Sequence, residues 1–120
     1  MYQYQATVER VVDGDTIYVT VDLGFFLTSM MKLRLRGVDT PEIRGKERPE
    51  GLKAKAFVQE KLPLGKKIVI NSYKIGKYGR YIADVFFHES SENWQEILKD
   101  GINLSQLLLE KGLAEPYPVD

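Results

Sequence analysis

The chain has 120 residues, a length that suits one domain (1–120) with a hydrophobic core of its own. It has no cysteine and a single histidine, His88, which excludes a disulfide framework, zinc–thiolate chemistry and any site built from several histidines. Acids and bases balance at 17 each, but residues 1 to 31 hold one base and four acids, residues 32 to 80 fourteen and five, and residues 81 to 120 two and eight, so a basic groove beside an acidic far side is expected.

Gln5 to Val12 alternates apolar and polar residues, and beyond Asp13-Gly14-Asp15 the apolar Ile17, Val19 and Val21 alternate with Tyr18 and Thr20. This predicts two strands joined by a tight Asp-Gly turn. Phe25, Phe26 and Leu27 form an apolar hairpin end, expected to tuck onto the sheet rather than to present an exposed docking patch. Leu33, Leu35 and Val38 continue as a third strand that Pro41 must end. Ile43 to Gly51, rich in charge, reads as a solvated loop, followed by a helix over Leu52 to Leu62 with Ala54, Phe57, Val58 and Leu62 at helical spacing. Lys67 to Ser72 and Tyr81 to Phe87 are the fourth and fifth strands, separated by a loop with Gly76 and Gly79. Ser90 to Gly101 stays open between a helix carrying Trp94, Ile97 and Leu98 on one face and a hairpin turning at Asp100-Gly101. Leu104 to Lys111 reads as a helix capped by Asn103 and stopped at Gly112. Five strands, with helices after the third and the fifth, predict a mainly β, α+β domain: a five-stranded Greek-key barrel of the OB type with two or three helices.

Two stretches are more polar than their strand context requires. Asp13 to Thr16 is an acidic turn, and Arg34 to Glu42 packs two arginines and two carboxylates before a proline-locked turn. Asp15, Asp39 and the Thr40 backbone offer the hard oxygen donors that Ca²⁺ takes. Arg34 or Arg36 beside such a cation points to a phosphoester, because a guanidinium matches phosphate oxygens in pairs and stays charged at any working pH.

These two stretches and Lys77-Tyr78-Gly79-Arg80, in that order, resemble the three motif blocks of the staphylococcal nuclease (thermonuclease) family, and the resemblance runs from about Ala6 to Ala114. It implies the OB-fold and Ca²⁺ bound by Asp15 and Asp39 with the Thr40 carbonyl. It also implies that Glu42 orients or deprotonates the attacking water, that Arg34 and Arg80 hold the phosphate, and that Lys77 and Tyr78 contact the nucleotide. Tyr117 is a further stacking candidate, weighed against a tail aromatic packed on the barrel. Arg36 is assigned to the outer surface. The chain departs from the type enzyme in a longer connection between Asp15 and Arg34, a longer segment around Ser90 to Gly101, a shorter loop after Glu42, and no counterpart of the C-terminal helix beyond Ala114.

The expected activity is Ca²⁺-dependent hydrolysis of DNA and RNA by a monomer, favouring single-stranded stretches and cleaving the 5′ P–O bond to leave 3′-phosphates. The alternative is a non-catalytic nucleic-acid or protein-binding module of the same fold. No apolar run reaches the roughly 20 residues of a membrane span, and Tyr2 to Gln5 lacks the basic and apolar start of a signal peptide. Secretion after removal of a leader, or a cytoplasmic or phage origin without one, are both compatible with that start.

Overall fold

Alternation along the first three strands decides the architecture. Val8, Val11, Ile17, Val19, Val21, Leu33 and Leu35 are all buried, and of the polar residues between them only Asp15 and Thr16 are buried as well. The computed structural model describes residues 2–75 and 81–118. In it β1 (Tyr2–Asp13), β2 (Thr16–Gly24) and β3 (Leu27–Leu35) form an antiparallel meander, and β1 also pairs with β5 (Lys67–Ile75). β5 pairs with β6 (Tyr81–Phe87), and β6 closes on β3 in parallel through Leu33↔Tyr81, Arg34↔Ile82 and Leu35↔Ala83. The result is the predicted closed five-stranded barrel of the OB type, with three α-helices. Closure leaves the sheet without a free edge at β3.

Helix α1 (Arg48–Lys61) lays Ala54 and Val58 on the barrel core, with Leu62 just beyond its end. It begins four residues before the predicted start, because Pro49 sits in its first turn: proline has no N–H to lose there and its φ is already helical. The charged stretch expected as loop is thus partly helix, preceded by a 3₁₀ turn over Gly45–Glu47. The open segment resolves as helix α2 (Trp94–Asp100), whose first N–H groups, at Gln95 and Glu96, donate to Asn93 Oδ1 at 2.9 and 3.2 Å. Helix α3 (Leu104–Glu110) starts at the predicted cap, with the Gln106 N–H donating to Asn103 Oδ1 at 3.2 Å. β4 (Val38–Asp39) and β8 (Glu115–Pro116) form a separate two-stranded ladder, and β7 (Ile102–Asn103) extends β6.

The β2–β3 hairpin end does not tuck in. Phe25 and Phe26 are its two turn residues, 93% and 106% exposed, with φ of +54° and +61°. A two-residue turn of type I′, one of the two whose twist matches the strands, has positive φ at both central positions, and two phenylalanines adopt it here at a cost in strain.

Candidate active site

Three strand ends meet at one end of the barrel. The Leu35 N–H donates to Asp15 O at 2.9 Å, tying the β1–β2 turn to the end of β3, and Thr16 is in register with Arg34. The chain then turns at Gly37, φ +82°, into β4. Asp15, Arg34, Asp39 and Thr40 are thereby gathered into one cluster.

Asp15 is at its centre. Its Oδ1 accepts from the Thr16 hydroxyl at 3.0 Å and its Oδ2 from the Thr40 N–H at 3.1 Å, while its own N–H donates to Asp13 Oδ1 at 3.2 Å. Arg34 is gripped from two sides. Nη1 donates to Leu35 O at 3.0 Å and Val38 O at 2.8 Å; Nη2 lies 3.6 Å from Asp15 Oδ2 and 3.4 Å from Asp39 Oδ1. The Asp15 side chain is 10% exposed and that of Asp39 54%, so one carboxylate is set into the wall and the other stands at its rim.

Their electrostatics diverge accordingly. Burial pushes the Asp13 carboxyl up to about 6, helped by the hydrogen bond and charge of Asp15. Burial acts on Asp15 in the same sense, but hydrogen bonds from Asp13 and the Thr40 N–H, with the Arg34 charge, outweigh it and hold this carboxyl below its ordinary value. Asp39 is raised by burial and by the Asp15 charge against the pull of Arg34. Negative charge is therefore kept most firmly on Asp15.

Asp15 Oδ2 and Asp39 Oδ1 both face Arg34 Nη2, so in this structure the cation that joins the two carboxylates is the guanidinium. With the Thr40 carbonyl in the same turn, the donors are all hard oxygens, which fits Ca²⁺ completed by water and not a thiolate or imidazole metal. Among the described residues no three Asp, Glu, His or Cys side chains form a metal-binding group, so the side-chain share of this set is the two carboxylates.

Two glycines fix how closely the parts approach. A Cβ on Gly14 would stand 2.8 Å from both Ala54 Cβ and Thr40 Cγ2, and one on Gly51 would overlap Glu42 O. Helix α1 thus presses directly on the Pro41–Glu42 backbone. Glu42 itself is exposed; its N–H donates to Glu47 Oε1 at 3.0 Å, and among the described residues its carboxylate accepts no hydrogen bond. It follows Asp39 by three residues on the same segment.

Tyr117 joins the cluster through the tail. β8 pairs Glu115 with Asp39 and Pro116 with Val38, the Tyr117 N–H donates to Gly37 O at 2.9 Å, and the ring lies 4.7 Å from Arg34 Cζ. The aromatic packs on the arginine and is still half exposed. Lys77, Tyr78 and Arg80 lie outside the described residues.

Arg36 lies apart from the cluster. Arg34 and Arg36 are two residues apart, so strand periodicity alone would give them the same face. They diverge because β3 ends at Leu35: the Arg36 N–H donates to Ala83 O at 3.0 Å and its guanidinium lies 4.3 Å over the Tyr73 ring. Asp13 as partner of Asp15, and Gly14 and Gly51 as close-approach positions, were not singled out from sequence; the repeated acid in Asp13-Gly14-Asp15 was the available signal for the first.

The sequence model of the family described as "Staphylococcal nuclease homologue" matches residues 32–120, which include Arg34, Asp39, Thr40 and Glu42. The chain is also similar to the uncharacterized protein MJ1439 of Methanocaldococcus jannaschii, 33% identical over 136 aligned positions that cover 95% of this chain and 59% of that protein. The chain spans about three fifths of the length of this relative.

Proposed function

We propose, from the premise that this chain belongs to the staphylococcal nuclease family, that it is a Ca²⁺-dependent nuclease hydrolysing phosphodiester bonds of DNA and RNA. Single strands are the preferred substrate, cleavage is at the 5′ P–O bond, and 3′-phosphates remain. The observation that carries the reading is the gathering of Asp15, Asp39 and Arg34 into one cluster beside the Thr40 turn.

Asp15 and Asp39, with the Thr40 carbonyl, hold Ca²⁺, which supplies positive charge to the phosphate oxygens when bound. Arg34 gives the scissile phosphate a second, fixed charge, strengthening as the oxygens gain charge toward the transition state. Its Nη1 edge is anchored on the Leu35 and Val38 carbonyls, so the guanidinium plane is oriented before substrate arrives. Arg80 acts as the second phosphate-binding arginine. Glu42, exposed and three residues after Asp39, orients the attacking water or accepts its proton. Lys77 and Tyr78 hold the adjoining nucleotide, and Tyr117 walls the Arg34 side of the cleft. The protein acts as a monomer.

Glu42→Gln and Arg80→Ala test this directly. Each is expected to lower single-turnover cleavage of a labelled oligonucleotide by two orders of magnitude or more, as loss of a general base or a transition-state donor does. Near-normal cleavage by both would contradict the mechanism.

A further inference from the structure

The outer face of the barrel beside the proposed site carries three residues that the proposed chemistry leaves unused. Arg10 is in register with Tyr18, and Tyr18 with Lys32, so one row crosses β1, β2 and β3. Arg10 Cζ lies 5.0 Å and Lys32 Nζ 5.7 Å from the centroid of the Tyr18 ring. Two like charges are gathered on one aromatic.

A bulge builds this row. Val8 pairs with Val19 and Arg10 with Tyr18, which leaves Glu9 as an extra residue in β1. Val8 and Val11 both stay in the core, while Glu9 and Arg10 both lie outside it; bulges re-aim side chains in this way. Glu9 is engaged by the Thr20 hydroxyl at 2.7 Å. The ion pairs among the described residues are those of Arg34, Lys53 and Lys61, so neither Arg10 nor Lys32 has a carboxylate partner there. The charge of both is available to an external anion.

Lys32 precedes Arg34 by two residues on the same face of β3, an offset of about 7 Å along the strand, comparable to one extended nucleotide. Arg34 has its own aromatic in Tyr117 at 4.7 Å. The face therefore repeats a cation-on-tyrosine unit, the combination with which single-stranded nucleic acid is tracked without regard to sequence.

We infer that Arg10, Tyr18 and Lys32 form a flanking subsite for a single-stranded polynucleotide. Arg10 and Lys32 hold backbone phosphates beyond the scissile one, and the Tyr18 ring positions both cations. The inference rests on the nuclease reading for the course of the strand, but its test reads binding and does not require turnover.

The experiment is a salt titration of anisotropy with a labelled oligothymidylate, in chelator, comparing wild type with the Arg10→Ala/Lys32→Ala double variant. Two lost phosphate contacts should reduce the log–log salt slope by about 1.4, so that raising salt from 50 to 200 mM weakens the variant about sevenfold less than wild type. Cleavage of a dinucleotide, too short to reach the row, should be unchanged. Tyr18→Leu should lose part of the slope, and Tyr18→Phe should keep it, since only the ring is used. An unchanged slope in the double variant, an equal loss on the dinucleotide, or failure of Tyr18→Phe to match wild type would overturn the subsite. A slope change in a protein that never cuts with Ca²⁺ would support the subsite while removing the nuclease reading.

Discussion

Replacing Gly51 with alanine tests how helix α1 sets the turn that carries Asp39 and Thr40. Alanine ordinarily stabilises a helix interior over glycine by about 1 kcal/mol. At Gly51 the added Cβ would overlap Glu42 O and stand 2.5 Å from Glu42 C and 2.8 Å from Pro41 O. These are backbone atoms and cannot rotate aside, so the helix or the Pro41–Glu42 segment must move by roughly 1 Å to restore van der Waals contact. Against backbone atoms such overpacking costs the upper part of its usual range, about 2–3 kcal/mol, leaving a net loss of about 1–2 kcal/mol after the helix gain. For a domain of this size that lowers Tm by about 3–8 °C. The same displacement at a catalytic turn should reduce kcat/KM about 100-fold. Glu50→Ala, one residue earlier and exposed, is the control, expected within about 0.5 kcal/mol of wild type. Circular-dichroism melts and oligonucleotide cleavage read both effects. A Gly51→Ala protein that melts at or above wild type would refute the close packing of helix on turn.

Two further substitutions follow from strain and charge. Phe25→Asn with Phe26→Gly places residues suited to positive φ in the hairpin turn and should raise unfolding free energy in urea by about 1–2 kcal/mol; no gain would mean that the turn is not strained. Asp13 has a folded pKa of about 6, above its unfolded value of 3.8. It therefore favours the fold below about pH 4 and loses that contribution as pH rises through 6. Asp13→Asn keeps an oxygen for the Asp15 N–H without the charge, so it should match wild type near pH 4 and exceed it at pH 7 by about 1 kcal/mol, allowing for partial exposure. A stability difference that does not change between pH 4 and 7 would show that Asp13 titrates normally.

The barrel was legible because strict alternation at Ile17, Val19 and Val21 admits one buried face, and the acidic and basic turn blocks because their polarity exceeds what a turn needs. The start of α1 was misread since Pro49 marks a loop and a first helical turn equally well in sequence. The side taken by Phe25 and Phe26 depends on the sign of φ in the turn, which residue type alone predicts wrongly for phenylalanine. Tyr117 reaches Arg34 only through a two-residue ladder to Val38 and Asp39, a pairing too short to carry a sequence pattern. Arg10 faces out because of a one-residue bulge at Glu9; the only trace of it in the sequence is the break in alternation at Glu9-Arg10, which a loop or a strand end would leave equally well. What periodicity could not supply was which ends of separate strands meet, and that contact brings Asp15 to Arg34.

Metal-dependent hydrolysis is read by cleavage of a fluorescent single-stranded oligonucleotide with Ca²⁺, then with excess chelator, with Asp15→Ala alongside. Activity should require Ca²⁺ and disappear in Asp15→Ala while the fold, followed by circular dichroism, persists. Wild-type protein that binds the oligonucleotide but never cuts it, under Ca²⁺, Mg²⁺ or Mn²⁺, would contradict it and identify a binding module.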